Sequence, residues 1–331
     1  MPLRSQTGMA KETKKQLTNS SVEVCSPASS SNLGAGFDCF GVALKLYLTI
    51  RATASSKVKD CKVTTTGPRE NAALPKGPTN LIYRAMSFAA AREQLNLPPV
   101  ELAVHNEIPL ASGLGSSAAA IVGGIKLAGL LCNTDVPDAR ILNLASEFEG
   151  HPDNVGASLY GGFVSSCRRE IDEVFSIKDE WPNDISFVAV SPRSQVSTQA
   201  ARAQLPRTVA RSDAVFNLQR AALFASVLEK RRYELLWDVM RDRLHQTHRA
   251  SLVPGIREAL AIEKQKGLLG IALSGAGPSI IALVDDNATA IGKQIAACFR
   301  KHKIETKVRE LEADNEGCRV VGETRPSREI I

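Results

Sequence analysis

Three turns of glycine and small hydroxyl residues, and a fourth crowded with carboxylates, are the parts of this chain able to do chemistry. In Gly113-Leu114-Gly115-Ser116-Ser117-Ala118 the glycines let the backbone approach a ligand closely. The N–H groups opening the helix that follows favour phosphate, and Ser116 and Ser117 add hydroxyls there. Glu147-Phe148-Glu149-Gly150-His151-Pro152-Asp153-Asn154 gathers carboxylates, an imidazole and an amide around a turn. Carboxylates sit poorly at the negative end of a helix dipole, whereas carboxylate with hydroxyl suits Mg²⁺, a hard ion that prefers oxygen donors. Ser274-Gly275-Ala276-Gly277-Pro278-Ser279 joins two apolar runs, and Pro278 argues against a helix starting inside it. Residues 27–38 form a further segment dense in Ser, Gly and Asn. Taken singly, the bland readings are a helix-capping turn for 113–118, a solvated helix end for 147–154 and a hairpin loop for 274–279, the last as good as a functional one.

One rival for the 113–118 segment is a dinucleotide fold, because it satisfies G-x-G-x-x-A and Asp135 lies near the expected acidic position. That fold needs a turn and a second apolar strand before the acidic residue. Here helix-compatible residues run on to Cys132, and 133–137 reads as a loop. A Walker-type phosphate loop is absent from the sequence.

The elements that must position these turns follow from periodicity. Residues 42–54 alternate apolar and polar as a half-buried strand does; 21–26, 100–108, 184–191, 268–274 and 279–284 are also strand-like. Helical spacing appears over 80–95, with Asn80 as N-cap, and over 118–131, 139–149, 213–230, 233–248 and 288–299. Basic residues on one side of 213–230 and 233–248 read as a solvated face. Strands and helices mix without strict βαβ alternation, so the class is α+β. The Trp181-Pro182-Asn183-Asp184 punctuation suggests a boundary near residue 180, giving a 1–20 disordered tail and domains over 21–180 and 181–331.

Composition narrows the function classes. At 331 residues, with 44% hydrophobic and 23% charged, the chain is long enough for a large core without staples. A net charge of +6 with only 5% aromatics lacks the basic stripe and stacking platforms of a nucleic-acid binder. The 7 cysteines are odd in number and show no C-x-x-C pair, which fits a reducing compartment and no zinc cage. The apolar stretch 118–132 is too short for a bilayer and carries Lys126, so no membrane association is expected. The polar N-terminal segment lacks a secretory apolar core; a cytoplasmic location is expected, with an organelle transit peptide as the alternative.

In order along the chain, residues 27–38, the segment Pro109-Leu110-Ala111-Ser112-Gly113-Leu114-Gly115-Ser116-Ser117-Ala118-Ala119 and Leu273-Ser274-Gly275-Ala276-Gly277-Pro278-Ser279 resemble the GHMP small-molecule kinases. With Gly150-His151-Pro152-Asp153-Asn154-Val155 and residues 197–206 between them, the resemblance is to the homoserine kinase group in particular. It implies a two-domain α+β fold: a nucleotide-binding N-terminal domain, then a ferredoxin-like domain, with ATP between them. ATP would be held by Pro109, Ser112, Gly113, Leu114, Gly115, Ser116, Ser117, Ala118, Gly275 and Gly277. Mg²⁺ would lie at Ser116 and Glu149, with Glu147 as fallback. L-Homoserine would meet Asn32, Asp38, His151, Asp153, Thr198, Arg202 and Arg249, with Asp153, Asn154 and Asp38 nearest the chemistry. Its carboxylate suits an arginine pair and its ammonium suits Asp38 or Asp153. Asp153 is the candidate general base, while Asn154 or Asp38 could merely orient the hydroxyl. The implied reaction transfers the γ-phosphoryl group of ATP to the homoserine hydroxyl, in threonine biosynthesis; a homodimer is the default assembly. The alternatives are a kinase of mevalonate or shikimate type and a non-catalytic ATP-binding module.

Overall fold

The computed structural model describes residues 20–67, 74–169 and 173–324; the tail read over 1–20 lies, except for Ser20, outside them. Strands β1 (Ser21–Ser31), β2 (Phe40–Ala54), β3 (Cys61–Thr66), β4 (Val100–Asn106), β5 (Phe163–Arg168) and β6 (Val174–Asp179) build a seven-stranded sheet, completed by β11 (Arg319–Thr324). Its pairs are antiparallel except β3 with β4. The helix Ser116–Leu131 packs on β1 and β2, flanked by Leu81–Arg92, Asp138–Glu149 and Asp153–Tyr160. Almost every side of Ser116–Leu131 is buried, as its run of alanines, glycines and aliphatics requires.

The second sheet contains β7 (Ser186–Pro192), β8 (Leu268–Leu273), β9 (Ile280–Val284) and β10 (Thr306–Leu311), in the order β10-β7-β9-β8 and antiparallel throughout. That order, with helices between β7 and β8 and between β9 and β10, is ferredoxin-like. The continuous apolar run of β7 is explained by burial on both faces. Phe187 and Ala189 join the core of the first sheet, and Val188 and Val190 face the core beneath the helix Ala288–Arg300. A chain of rings, Phe40, Phe163, Trp181, Phe187 and Phe224, crosses the same seam. The two sheets therefore share one hydrophobic core along this seam.

Several expectations change. The loop read over 27–38 is strand up to Ser31, paired with β2. The single helix expected over 233–248 is broken into a 3₁₀ turn Tyr233–Leu235 and short helices Leu236–Val239 and Gln246–Arg249. The break has a local cause: the Asp242 carboxylate accepts the N–H groups of Leu244, His245 and Gln246, competing with the helical ladder. β11 returns from the far end of the chain to pair with β1, so residues 319–324 complete the first sheet although they follow the second in sequence.

Candidate active site

The three small-residue turns meet. Ser29 N–H donates to Leu114 O (3.2 Å), Gly275 N–H to Ser31 O (3.1 Å) and Ser279 N–H to Ser112 O (3.0 Å). The Ser274 hydroxyl lies 2.7 Å from Gly113 O and 2.9 Å from Ser30 Oγ. Such an approach needs a residue without a Cβ at Gly113, where φ is +85° and a Cβ would overlap the carbonyl oxygens of Ser274 and Gly277. Gly115, also left-handed, starts the helix Ser116–Leu131, and no side chain caps that end. By contrast Asn80 and Ser197 cap their helices with side-chain oxygens. An uncapped helix start beside a glycine loop is an anion-binding end.

These turns wall a cavity of about 430 Å³, lined by eighteen of the residues singled out from the sequence. They are Asn32, Asp38, Pro109, Ser112, Gly113, Leu114, Gly115, Ser116, Ser117, Glu149, His151, Asp153, Asn154, Thr198, Arg202, Arg249, Gly275 and Gly277. Two candidates stand apart. Ala118 is fully buried in the core behind the loop, because the first helical turn faces it away from the opening. Glu147 is half-exposed, pairs with Arg92 and does not line the cavity, one helical position pair away from Glu149 on the other face.

Glu149 points inward and accepts a 2.6 Å hydrogen bond from the Ser117 hydroxyl. Ser117, rather than Ser116, is thus the hydroxyl in contact with the carboxylate, although both line the cavity. Burial pushes the Glu149 carboxyl above its ordinary value, against the opposing pull of Ser117 and His151. Next to it His151 Nδ1 lies 2.5 Å from Asp153 Oδ1, and both side chains are almost wholly buried. Burial alone would lower His151 and raise Asp153. Their mutual attraction prevails, holding the imidazole above and the carboxyl below the ordinary range. The Asn154 amide is taken up by serines of β1: Nδ2 donates to Ser31 Oγ (2.7 Å) and Oδ1 accepts from Ser29 Oγ (2.9 Å).

Close enough to feel the Asp153 charge, the Arg202 guanidinium grips Asp38 bidentately at 2.8 and 2.9 Å. Asp38 raises Arg202 despite partial burial. Arg249 is 2% exposed and donates to Gly275 O at 3.1 Å; burial, reinforced by Arg202, lowers it. Asn32, at φ +70°, accepts from Asp38 N–H (3.0 Å) and donates to Gly275 O (2.9 Å), tying the first turn to the third. Thr198 opens the short helix Thr198–Ala203 at the rim.

Sequence reasoning missed the apolar end, made by Leu48, Val104, Leu110, Leu81 and Ile82 with Thr79 and Asn80. Leu48 and Val104 belong to strands legible from alternation, but alternation says which face is buried and not that a cavity interrupts it. It also missed Ser31, whose hydroxyl orients Asn154.

A mixed sheet joined to a ferredoxin-like sheet, with a glycine-loop helix start in the cleft, defines a GHMP kinase. The model of the GHMP kinases N terminal domain matches residues 80–162 and that of the GHMP kinases C terminal matches 224–301. Homoserine kinase of Caldicellulosiruptor saccharolyticus is 40% identical over 301 residues, 90% of this chain and 96% of the relative. That of Aquifex aeolicus is 40% identical over 295 residues, 89% and 97% of the two chains. The crystal structure of homoserine kinase from Cytophaga hutchinsonii superposes with a TM-score of 0.80 at 26% identity, covering 97% of this chain and all of that one. The chain belongs to the homoserine kinase family of GHMP kinases.

Proposed function

We propose that the protein transfers the γ-phosphoryl group of ATP to the side-chain hydroxyl of L-homoserine, giving ADP and O-phospho-L-homoserine. The observation that carries this reading is the pairing, in one cavity, of an uncapped helix start with a zwitterion-shaped charge set made by Arg249, Arg202 and Asp38. The triphosphate lies along residues 113–117, and the adenine takes the apolar end beside Leu48 and Val104. The amino-acid carboxylate is received by Arg249 with Arg202, and the ammonium by Asp38, which leaves the hydroxyl toward Asp153.

Mg²⁺ fits the donor set, since a single buried carboxylate with hydroxyls beside phosphates is the arrangement this ion favours. Glu149 would hold it with Ser117 and Ser116, and the desolvated Glu149 carboxylate is stabilised by a neighbouring cation. When bound, the ion neutralises phosphate charge. Phosphoryl transfer through a loose transition state needs positioning and charge stabilisation more than covalent help. Asp153, held in its ionised form by His151, is a weak proton acceptor and a strong hydrogen-bond acceptor. We therefore assign it the task of aiming the acceptor hydroxyl, with His151 fixing its orientation.

The assembly of helices offers no candidate membrane span among the described residues. The 7 cysteines are free thiols, in keeping with the reducing, cytoplasmic setting of the proposal. The test is ³¹P detection of O-phosphohomoserine from ATP, Mg²⁺ and L-homoserine, with L-threonine and mevalonate as competing acceptors. Transfer to mevalonate in preference to homoserine overturns the substrate; ATP binding with no transfer to any alcohol overturns the activity.

A further inference from the structure

Behind the acceptor end lies a buried polar unit that touches none of the groups assigned to substrate except through Arg249. His245 is fully buried and its Nε2 lies 2.9 Å from Gly34 O, while Nδ1 lies 3.4 Å from an Arg249 guanidinium nitrogen. A guanidinium only donates and a carbonyl only accepts, so the imidazole carries its proton on Nε2 and presents a bare Nδ1 to Arg249. Burial lowers this histidine, which keeps it in that neutral form. Its ring also stacks on Phe37 at 5.1 Å, and the guanidiniums of Arg202 and Arg249 lie over the Phe37 ring at 5.8 and 5.2 Å.

Asp242 holds His245 in place. Its carboxylate accepts four hydrogen bonds, from Leu244, His245 and Gln246 N–H and from the Asn217 amide at 2.7 Å. Asn217 in turn reaches Ala35 O at 3.4 Å and accepts Arg243 N–H at 2.9 Å. Two successive carbonyls of the loop between β1 and β2, those of Gly34 and Ala35, are thereby fixed from outside the cavity. The loop also lies flat on this bed: Gly34 has φ +81°, and a Cβ there would overlap the Met240 carbonyl. The same loop carries Asn32, Phe37 and Asp38.

We propose that His245, Asp242 and Asn217 form a positioning unit that keeps the 32–38 loop in register with Arg249, and so set affinity for the amino-acid acceptor without acting on the nucleotide. The unit joins a loop from the first sheet to a short helix of the second at the point where the acceptor's two charges are read. Among the described residues, the hydrogen-bond partners of its three side chains lie in 34–35, 242–249 and 217, none of them in the 113–117 loop. The inference rests on the ATP and homoserine reading of the cavity.

The test is steady-state kinetics of the full chain with homoserine and ATP varied in turn, alongside calorimetric ATP binding. His245→Leu is expected to raise the homoserine KM about tenfold or more, the cost of stranding buried partners, and to change the ATP KM by about twofold at most. His245→Gln, whose amide nitrogen can replace Nε2 toward Gly34, is expected to recover most of that affinity. Asn217→Ala is expected to raise the homoserine KM about threefold with unchanged ATP binding. Parallel rises in both KM values, or a Gln variant no better than the Leu variant, would show a merely structural role and overturn the proposal. If His245→Leu fails to fold, the Gln and Asn217→Ala variants decide on the same criterion. Wild-type protein that binds ATP and leaves homoserine unphosphorylated overturns the underlying reading instead.

Discussion

The two ends of the cavity are built by opposite means. The nucleotide end is made of backbone: glycines at positive φ, an uncapped helix start and apolar strand residues, with Glu149 as its buried charge. The acceptor end is made of side chains, with Arg249, His151 and Asp153 buried and Arg202 clasping Asp38. A backbone site recognises what every nucleoside triphosphate shares. A side-chain charge set discriminates, because an acceptor without a carboxylate leaves the buried Arg249 guanidinium without its anionic partner. Catalytic identity should therefore reside at the acceptor end and be sensitive to single side chains, whereas the nucleotide end should respond to changes of backbone shape.

The sharpest way to break this contrast is Asp153→Asn. Turnover should fall roughly a hundredfold or more while ATP affinity stays within about twofold; near-normal kcat would remove Asp153 from the mechanism. Next is Arg249→Lys, which keeps the charge and loses the planar fork. Homoserine KM should rise on the order of tenfold to a hundredfold with an unchanged ATP KM, and a matching rise for ATP would blur the two ends into one site. Gly113→Ala is the converse probe, expected to weaken ATP about tenfold while stability falls by about 1 kcal/mol or more, since its Cβ meets backbone oxygens. Equal damage to homoserine binding would contradict the division.

A smaller effect concerns pH. His151 is held above its unfolded value, so its contribution to stability is complete below about pH 6.5 and is lost as pH rises through the folded value. Asp153 is held below its unfolded value, so its share is present above about pH 3.9 and is lost on further acidification. The Tm gap between wild type and Asp153→Asn should therefore be widest between these limits and shrink toward alkaline pH. A gap that grows from pH 7 to 9 would contradict the ion pair. Least of all, Arg193→Ala should change stability by under about 0.5 kcal/mol in thermal melts, because both partners in the Arg193–Glu305 bridge are largely solvated.

This contrast also explains what could be read from the sequence. Glycine turns announce themselves locally, so the 113–117 loop and its helix were legible, whereas the 274–279 turn read as well as a hairpin loop and Gly275 reached the site through resemblance. Alternation marked β2, strand-like composition marked β4, and the apolar run of β7 marked a buried strand. The acceptor residues were reached through resemblance, since Arg202 and Arg249 are spaced like ordinary surface arginines and only the fold brings them over Phe37. The helix expected over 233–248 failed where Asp242 captures three backbone N–H groups, a competition that periodicity does not register. Strands β3, β5, β6, β10 and β11 were missed because each spans only six residues and has no sustained apolar alternation. Which of Ser116 and Ser117 contacts Glu149 turns on one step of helical rotation, below what spacing can resolve.

The return of β11 to the edge of β1 has a consequence for biogenesis. The nucleotide-binding half is encoded first, yet its sheet lacks an outer strand until residues 319–324 have been synthesised. During translation β1 therefore offers an open edge until residues 319–324 have emerged. Ribosome-bound chains cut short before β11 should be more prone to edge-to-edge association than chains that include it, because β11 covers that edge.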